Sequence, residues 1–269
     1  MILINDLIKI AESNGYKGAN INTKVAQDII LIILSKIEYN RNVTLKGGVL
    51  MRSISNDSRR ATKDLDIDLI KYSLEDVAIR KIINKMNGVE DIEVSIYGDI
   101  KELHHEDYKG KEVHLILKDK NGMTLNAKID LGVQADLTIE QEEYCFDVGL
   151  SNNGIIILAN TKEQMFVEKL FSLLKWDIAS TRFKDVYDMY FLIKYLNKER
   201  LINLISKIIF SNKDLNISNL GDISKHLIDI FNNTMYLNNL KNPKFNWINI
   251  ETHTVTNSII EFLNSLNIC

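Results

Sequence analysis

Apolar residues recur with two different periods along the first part of the chain. Between residues 22 and 39 they fall three and four positions apart, which predicts an amphipathic helix. From residue 64 to 71 they alternate with acidic residues, which predicts a strand with one buried face. The other elements predicted before residue 160 are helices at 3–13, 49–55 and 74–87, the last with Ser73 as its N-cap, and strands at 43–45, 91–100, 111–118, 123–131, 144–149 and 155–158.

Helical periodicity dominates the rest of the chain. The only proline, Pro243, leaves most of this region free of a helix-breaking residue. The change of period predicts two domains, an α+β domain at 1–160 and a helical domain at 161–269. The helices predicted in the second domain span residues 162–175, 183–196, 198–211, 223–237 and 256–266.

Composition excludes several classes of protein. A net charge of -3 argues against a broadly basic coat for nucleic acid, although it allows a local basic groove. The two cysteines, Cys145 and Cys269, are far apart and suggest no disulfide framework. No apolar run approaches the ~18 residues of a membrane span, and the first residues lack the pattern of a signal peptide. We therefore expect a soluble cytoplasmic protein with no membrane partner.

The segment around residue 64 carries the most informative chemistry. Side chains two positions apart leave a strand from one face, and this face groups Arg60, Thr62, Asp64, Asp66 and Asp68. Neighbouring carboxylates repel one another, so stability alone does not explain such a row. Mg²⁺ is held in proteins by one or two carboxylates together with substrate phosphates. The row therefore predicts a metal-dependent enzyme that acts on a phosphorylated substrate.

A calcium-binding loop is the rival interpretation of the same acids. Asp64, Asp66, Asp68 and Glu75 occupy positions 1, 3, 5 and 12 of an EF-hand loop. The sixth position is Leu69, where that loop needs glycine for its turn. The apolar residues between the acids also alternate as in a buried strand, so the strand interpretation is favoured.

A second strand repeats the arrangement of a charged face. Asn126, Lys128 and Asp130 share one face of the strand predicted at 123–131, and the Asn-Gly pair at 121–122 predicts a hairpin turn before it. Asp130 adds a third carboxylate, and Lys128 adds a cation that can neutralise a transferred phosphoryl group. Taken alone, this pattern is better explained by an ordinary surface ion pair, but beside the first acids it favours a metal site.

Two further clusters fit a nucleotide site less specifically. Gly47 and Gly48 lie between a strand and a helix, where backbone N–H groups can meet a phosphate, although a tight turn needs the same residues. Arg182, Asp185 and Asp188 are three positions apart on one helical face. Their spacing by itself favours amphipathic helices with surface salt bridges.

Taken in order, these motifs resemble a known family. The sequence carries Gly-Gly, an Asp-x-Asp fifteen residues later, a Lys-x-Asp, and then a lysine followed by Arg-x-Lys-Asp-x-x-Asp. This order is similar to that of the AbiEii/AbiGii toxin family of nucleotidyltransferases, in the DNA polymerase β-like superfamily. The resemblance covers roughly residues 43–190 and implies a polymerase β-like mixed sheet with flanking helices, followed by a helical C-terminal domain.

The resemblance also assigns roles to individual residues. It implies that Asp64, Asp66 and Asp130 hold the catalytic metal, Mg²⁺ or Mn²⁺, with Lys128 beside them in the catalytic centre. The nucleotide-binding residues that it implies are Gly47, Gly48, Lys169, Arg182, Lys184, Asp185 and Asp188. Val49 departs from the family pattern, since small hydroxyl residues are frequent at this position.

The family suggests a specific activity. Its members are toxins of toxin–antitoxin or phage-defence systems, so the resemblance implies an antitoxin partner and two-metal transfer of a nucleoside monophosphate from a nucleoside triphosphate (NTP). The 3′ end of tRNA is the leading acceptor. A small molecule such as an antibiotic, or a protein, is an alternative acceptor. A noncatalytic nucleotide-binding module is the alternative from another class.

Overall fold

The computed structural model describes residues 1–104, 109–134, 136–149 and 153–266. The chain divides into two compact units, Met1–Asn160 and Thr161–Cys269. Every described strand lies in the first unit, and the described part of the second unit is helical. The prediction of an α+β fold with a mixed sheet is confirmed.

The sheet of the first unit places two strands from distant parts of the sequence side by side. Its eight strands run in the order β3-β5-β6-β2-β1-β8-β7, with β4 beside β5. β2 pairs in parallel with β6, and β1 with β8, whereas the other pairs are antiparallel. The strands are β1 (Val43–Leu45), β2 (Leu65–Leu69), β3 (Glu93–Ile96), β4 (Lys101–His104), β5 (Lys109–Lys118), β6 (Thr124–Val133), β7 (Gln141–Phe146) and β8 (Ile155–Asn160).

One helix of the first unit is buried on nearly all sides. Residues 25–34 are all buried, and this helix packs on β6 and β8. Eight of these ten residues are apolar, and a helix with apolar residues on most of its sides packs in the interior, so its sequence explains its central position. The helices of this unit are α1 (Ile4–Ser13), α2 (Ala19–Lys36), α3 (Gly47–Ser55) and α4 (Asp76–Met86).

The predicted hairpin is present and sets the position of β6. β5 and β6 are paired from Lys111 with Leu131 to Lys118 with Thr124. In the turn, Oδ1 of the buried Asp119 accepts hydrogen bonds from the backbone N–H groups of Asn121 and Met123, both at 3.0 Å. This local network fixes the register that carries Lys128 and Asp130 to their places.

The predicted acid-bearing strand is shorter than the alternation suggests. β2 begins only at Leu65, so Arg60 and Thr62 precede it and the prediction that they share its face is wrong. The reason is local: α3 ends at Asn56 in a left-handed conformation (φ 49°), and a turn follows in which the Arg60 N–H donates to the Asp57 carbonyl. A five-residue strand is all that the remaining segment allows.

Two other boundaries differ from the predictions. The segment 91–100 is interrupted after Ile96, with Gly98 at φ 74°, and strand pairing resumes at Lys101. The helix predicted from residue 74 begins at Asp76, and Ser73 is not its N-cap. Instead the Ser73 hydroxyl accepts a hydrogen bond from the N–H of Glu75, which forms a turn ahead of the helix.

The second unit is built from six helices in its described part. α5 packs against α6 and α7, and α10 packs against α6 and α8. The predicted segment 223–237 forms two helices, because the chain breaks at Asn233, whose side chain accepts from the N–H of Tyr236. The helices are α5 (Lys162–Trp176), α6 (Phe183–Leu192), α7 (Lys198–Ile205), α8 (Leu220–Asn232), α9 (Thr234–Leu240) and α10 (Thr252–Ser265).

Candidate active site

Two carboxylates on neighbouring strands form the centre of the candidate site. Asp66 on β2 lies directly opposite Asp130 on β6 in the parallel register. Paired residues in a parallel sheet project to the same face, about 4.8 Å apart along the hydrogen-bonding direction. Asp64 immediately precedes β2, two residues from Asp66. The sheet therefore brings together the three acids that the sequence assigns to metal binding.

The Lys128 ammonium lies among these acids. Its Nζ is 3.0 Å from Oδ1 of Asp64, 3.3 Å from Oδ1 of Asp130 and 3.2 Å from Oε2 of Glu112. Burial disfavours the charged amine, but the hydrogen bond to Asp64 and the charges of the neighbouring acids outweigh it and raise the pKa of Lys128. Lys128 is therefore held as a cation.

The surroundings of Asp130 raise the pKa of its carboxyl group. Burial raises its pKa, and the charges of Asp64 and Asp66 raise it further, while Lys128 acts in the opposite direction. Its Oδ1 is buried and accepts no hydrogen bond within the described residues, although the Lys128 amine is 3.3 Å away. A second cation beside this oxygen would relieve both effects.

The donor set fits a hard divalent cation. Carboxylate oxygens without sulfur or imidazole are typical of Mg²⁺ and Mn²⁺ sites. Within the described residues, the buried Oδ1 of Asp130 has the Lys128 ammonium 3.3 Å away and accepts no hydrogen bond of normal geometry. As the side chains stand, the described residues contain no group of three or more His, Cys, Asp or Glu that converges as metal ligands. Asp64 and Asp130 are instead directed to Lys128. Lys128 therefore competes with any metal ion for Oδ1 of Asp64 and Oδ1 of Asp130.

The glycine pair packs directly against the acids. Gly47 has φ 63°, and a Cβ at this position would lie 2.0 Å from Oδ2 of Asp66. A Cβ on Gly48 would lie 2.5 Å from Oγ1 of Thr62. Both residues belong to the first turn of α3, whose N–H groups are free of helical partners at that end. Glycine at these two positions therefore serves both the tight packing and a helix start that can bind phosphate.

Sequence reasoning missed two residues of this site. Glu112 on β5 lies opposite Asp130, and its Oε1 is 2.9 Å from Nε2 of His114, which itself lies opposite Lys128. The hydrogen bond with His114, followed by that with Lys128, lowers the pKa of Glu112. Their spacing places Glu112 and His114 on one strand face, but only the pairing register shows which residues they meet.

Asp68 shares β2 with the acids but has a different partner. It is buried, and its Oδ1 is 2.6 Å from Nζ of Lys46. A Cβ on Gly132, the residue opposite Asp68, would lie 2.2 Å from that oxygen. Asp68, the third acid of the predicted row, is therefore paired with a lysine of the chain, and its presence does not require a metal ion.

A second charged cluster lies within the helical unit. Nζ of Lys169 on α5 is 2.6 Å from Oδ1 of Asp185 and 3.0 Å from Oδ2 of Asp188, both on α6. Asp188 is 0% exposed, and its Oδ1 accepts a hydrogen bond from Nε1 of Trp247 at 2.9 Å. The structure thus joins three of the residues assigned to nucleotide binding, with Asp188 in an interior position.

The two remaining assigned cations differ in exposure. Arg182 is exposed at the N-cap of α6, and Lys184 is half-buried in its first turn. Neither takes part in the described ion pairs of Lys169. Because the Arg182 side chain is exposed, it is accessible to a ligand.

Comparison with known families gives a match over most of the chain. The profile of the family described as nucleotidyl transferase AbiEii toxin, type IV toxin–antitoxin system, matches residues 29–246. The matched range includes all the residues of both charged clusters. No curated protein matches the chain. Among the described residues no helix is both long and apolar enough to span a bilayer. The chain belongs to the AbiEii family of nucleotidyltransferase toxins of type IV toxin–antitoxin systems.

Proposed function

We propose that this toxin transfers a nucleoside monophosphate from an NTP to the 3′-terminal hydroxyl of tRNA, with Mg²⁺ or Mn²⁺ held by Asp64, Asp66 and Asp130. The observation that carries the proposal is the direct pairing of Asp66 with Asp130 beside the glycine-initiated helix α3. Acidic oxygens and a helix start with free N–H groups together suit a metal-bound triphosphate.

The reaction is an in-line displacement at phosphorus. The acceptor hydroxyl attacks the α-phosphorus, a new P–O bond forms, and pyrophosphate leaves. Divalent cations at such a site lower the pKa of the attacking hydroxyl and neutralise the leaving oxygens. The chain itself positions the substrate, because the N–H groups at the start of α3 bind phosphate oxygens. Lys128 offsets the negative charge of these phosphate oxygens.

The tRNA acceptor follows from the family resemblance. The side chain of Lys63, close before β2 in sequence, is exposed and adds positive charge that suits a polyanionic acceptor. Arg59 is also exposed, but its guanidinium is paired with Asp57, with Nη2 2.6 Å from Oδ2. Arg52 and Arg60, from the same basic segment, are buried and do not contribute to such a surface. The family also implies an antitoxin. We expect the antitoxin gene to lie in the same operon as the gene of this toxin.

The decisive experiment is a label-transfer assay. Purified protein, Mg²⁺ and total tRNA are incubated with each α-labelled NTP in turn, beside the Asp66→Ala variant and the control Asp6→Asn, which changes an exposed acid on α1. We expect label in tRNA with wild type and Asp6→Asn, and none with Asp66→Ala.

The other outcomes select among the alternatives. Label in a protein or small-molecule acceptor, but not in tRNA, would support nucleotidyl transfer as the reaction and show that tRNA is not the acceptor. Nucleotide binding without transfer to any acceptor would support a noncatalytic module. In cells, an Asp64→Asn/Asp66→Asn double variant that remained as toxic as wild type would contradict the catalytic role of these acids.

A further inference from the structure

A cavity of about 360 Å³ lies within the first unit and is separate from the acids of β2 and β6. Its walls come from α1, α2, α3 and the segment 146–149, and none of the three catalytic acids lines it. Leu31, Val49 and Phe146 form a buried apolar part, whereas Asn14 and Asp147 are exposed. Its volume is in the range of small-molecule sites, about 300–1,000 Å³.

One oxygen of a buried acid in the cavity lacks a hydrogen-bond donor among the described residues. Asp28 is 4% exposed and lines the cavity. Its Oδ2 accepts from the Lys24 ammonium, but its Oδ1 is buried and accepts no hydrogen bond from the described residues. Burial raises the pKa of Asp28 and lowers that of Lys24, so neither charge is fully compensated by the pair. An N–H donor entering the cavity would satisfy this oxygen.

A buried arginine in the same cavity has donors to spare. Arg52 is 6% exposed, and within the described residues its guanidinium donates one hydrogen bond, from Nη1 to Oε1 of Gln27 at 2.6 Å. Gln27 in turn donates to the Thr62 carbonyl at 3.2 Å, which fixes the orientation of the pair. A guanidinium carries five N–H groups. The remaining donors match an acceptor such as a carboxylate, which arginine binds in bidentate fashion.

We propose that this cavity binds a small zwitterion of the α-amino acid type, with its carboxylate on Arg52, its ammonium on Asp28 and its side chain on the apolar wall. A ligand with a single charge would engage only one of the two buried groups, either Oδ1 of Asp28 or the remaining N–H donors of Arg52. Lys24 and Arg52 line the cavity together with Asp28 and Asp147, so its wall carries two charges of each sign and matches a zwitterion better than a polyanion such as a nucleotide. A zwitterion provides a carboxylate for Arg52 and an ammonium group for Asp28, and it adds no net charge to the interior.

Calorimetric titration of the full-length protein tests this proposal without any measurement of transfer activity. The twenty proteinogenic L-amino acids are titrated singly, and the best binder is compared with its analogues that lack the amino or the carboxyl group. We expect at least one amino acid to bind with a Kd below ~1 mM, and each analogue to bind about tenfold more weakly or worse. No binding by any of the twenty to the folded wild type would overturn the proposal, as would equal binding of the analogues.

Two variants locate the binding. Asp28→Asn removes the buried charge, and Asn14→Trp narrows the mouth from an exposed position. Both are expected to weaken binding by about tenfold or more, whereas Asn22→Trp, at an exposed site on α2 outside the cavity, is expected to bind as wild type does. Circular dichroism verifies the fold of each, and Asn14→Trp decides the matter if Asp28→Asn does not fold. Unchanged affinity in the folded cavity variants would place the ligand elsewhere and overturn the proposal.

Discussion

Gly47 is the residue whose lack of a side chain most directly shapes the candidate site. Two features limit substitution of Gly47: its φ is 63°, and a Cβ at this position would lie 2.0 Å from Oδ2 of Asp66. The backbone conformation disfavours any L residue, and the contact excludes any side chain unless Asp66 moves.

We expect Gly47→Ala to lower transfer activity by about a hundredfold, because it displaces a group that must be positioned to within an ångström. The backbone strain should cost about 1–3 kcal/mol in the free energy of unfolding. Gly122→Ala is the matched control, since Gly122 has φ 84° but nothing within 4 Å of a built Cβ. Denaturant unfolding and label transfer measure both quantities. Equal loss of activity in the two variants would show that strain, and not contact with Asp66, is responsible.

Glu112 offers a test of how Lys128 is shared among the acids. Because Glu112 holds Nζ of Lys128 at 3.2 Å, it draws the ammonium away from Asp64 and Asp130. In Glu112→Gln we expect the ammonium to compete more strongly for these acids, so that the Mg²⁺ concentration for half-maximal activity rises by about tenfold.

A second glutamate on the same sheet provides the control for that titration. Glu93→Gln removes the exposed cross-strand ion pair with Lys118, 3.0 Å long, at a distance from the acids along β5. Its Mg²⁺ dependence should match that of wild type. Direct titration of Mn²⁺ binding on each variant separates metal affinity from catalysis. A Glu112→Gln protein with wild-type metal affinity would refute the competition.

At the scale of elements, the pairing of α5 with α6 depends on a buried ion cluster. Lys169 is 8% exposed and Asp188 is 0% exposed, so neither charge has much access to water. Tyr187, the neighbour of Asp188, donates its hydroxyl to the Leu240 carbonyl at 2.8 Å and thereby connects α6 to the end of α9. Within the described residues, the interior of this unit thus contains polar groups bonded between distant helices. It also contains buried hydroxyls without a hydrogen-bond partner, those of Ser224 and Tyr236.

We expect Asp188→Ala to lower the free energy of unfolding by about 3–5 kcal/mol, because it leaves the Lys169 charge with less compensation and the Trp247 N–H without its acceptor. Asp185→Ala should cost clearly less, since the Asp185 side chain is 16% exposed and water can replace it. Urea unfolding monitored by tryptophan fluorescence measures both values. Equal costs would mean that burial does not decide the strength of this cluster.

At the scale of the whole molecule, the chain consists of two compact units. All the metal-binding candidates belong to Met1–Asn160, whereas Lys169, Arg182 and the acids of α6 belong to Thr161–Cys269. The family match crosses this boundary, from residue 29 to residue 246. The residues assigned to nucleotide binding therefore fall in both units.

We expect residues 1–160 alone to fold cooperatively, because they contain a complete sheet with its own buried helix, but to show no label transfer. Circular dichroism with a thermal transition verifies the fold, and the assay is run beside the full-length chain at equal concentration. Transfer by the isolated unit at the full-length rate would contradict a role for the helical unit in the reaction.

The sequence alone determined the features that depend on local period and composition. Alternation and helical spacing predicted the α+β class, the change to helices after residue 160 and the strands that carry the acids. The Asn-Gly pair predicted the hairpin, because few residues other than glycine adopt φ 84° as Gly122 does. The order of motifs was sufficient to indicate the family.

Only the tertiary structure decided which charged residues meet. The pairing of β2 with β6 sets Asp66 beside Asp130, and the pairing of β5 with β6 adds Glu112. The same packing assigns Asp68 to Lys46 and buries Asp188, although their spacing in sequence looks like that of exposed acids. The physical reason is that strand register and burial follow from the packing of apolar faces across the whole unit, which a period of two or of 3.6 residues does not encode.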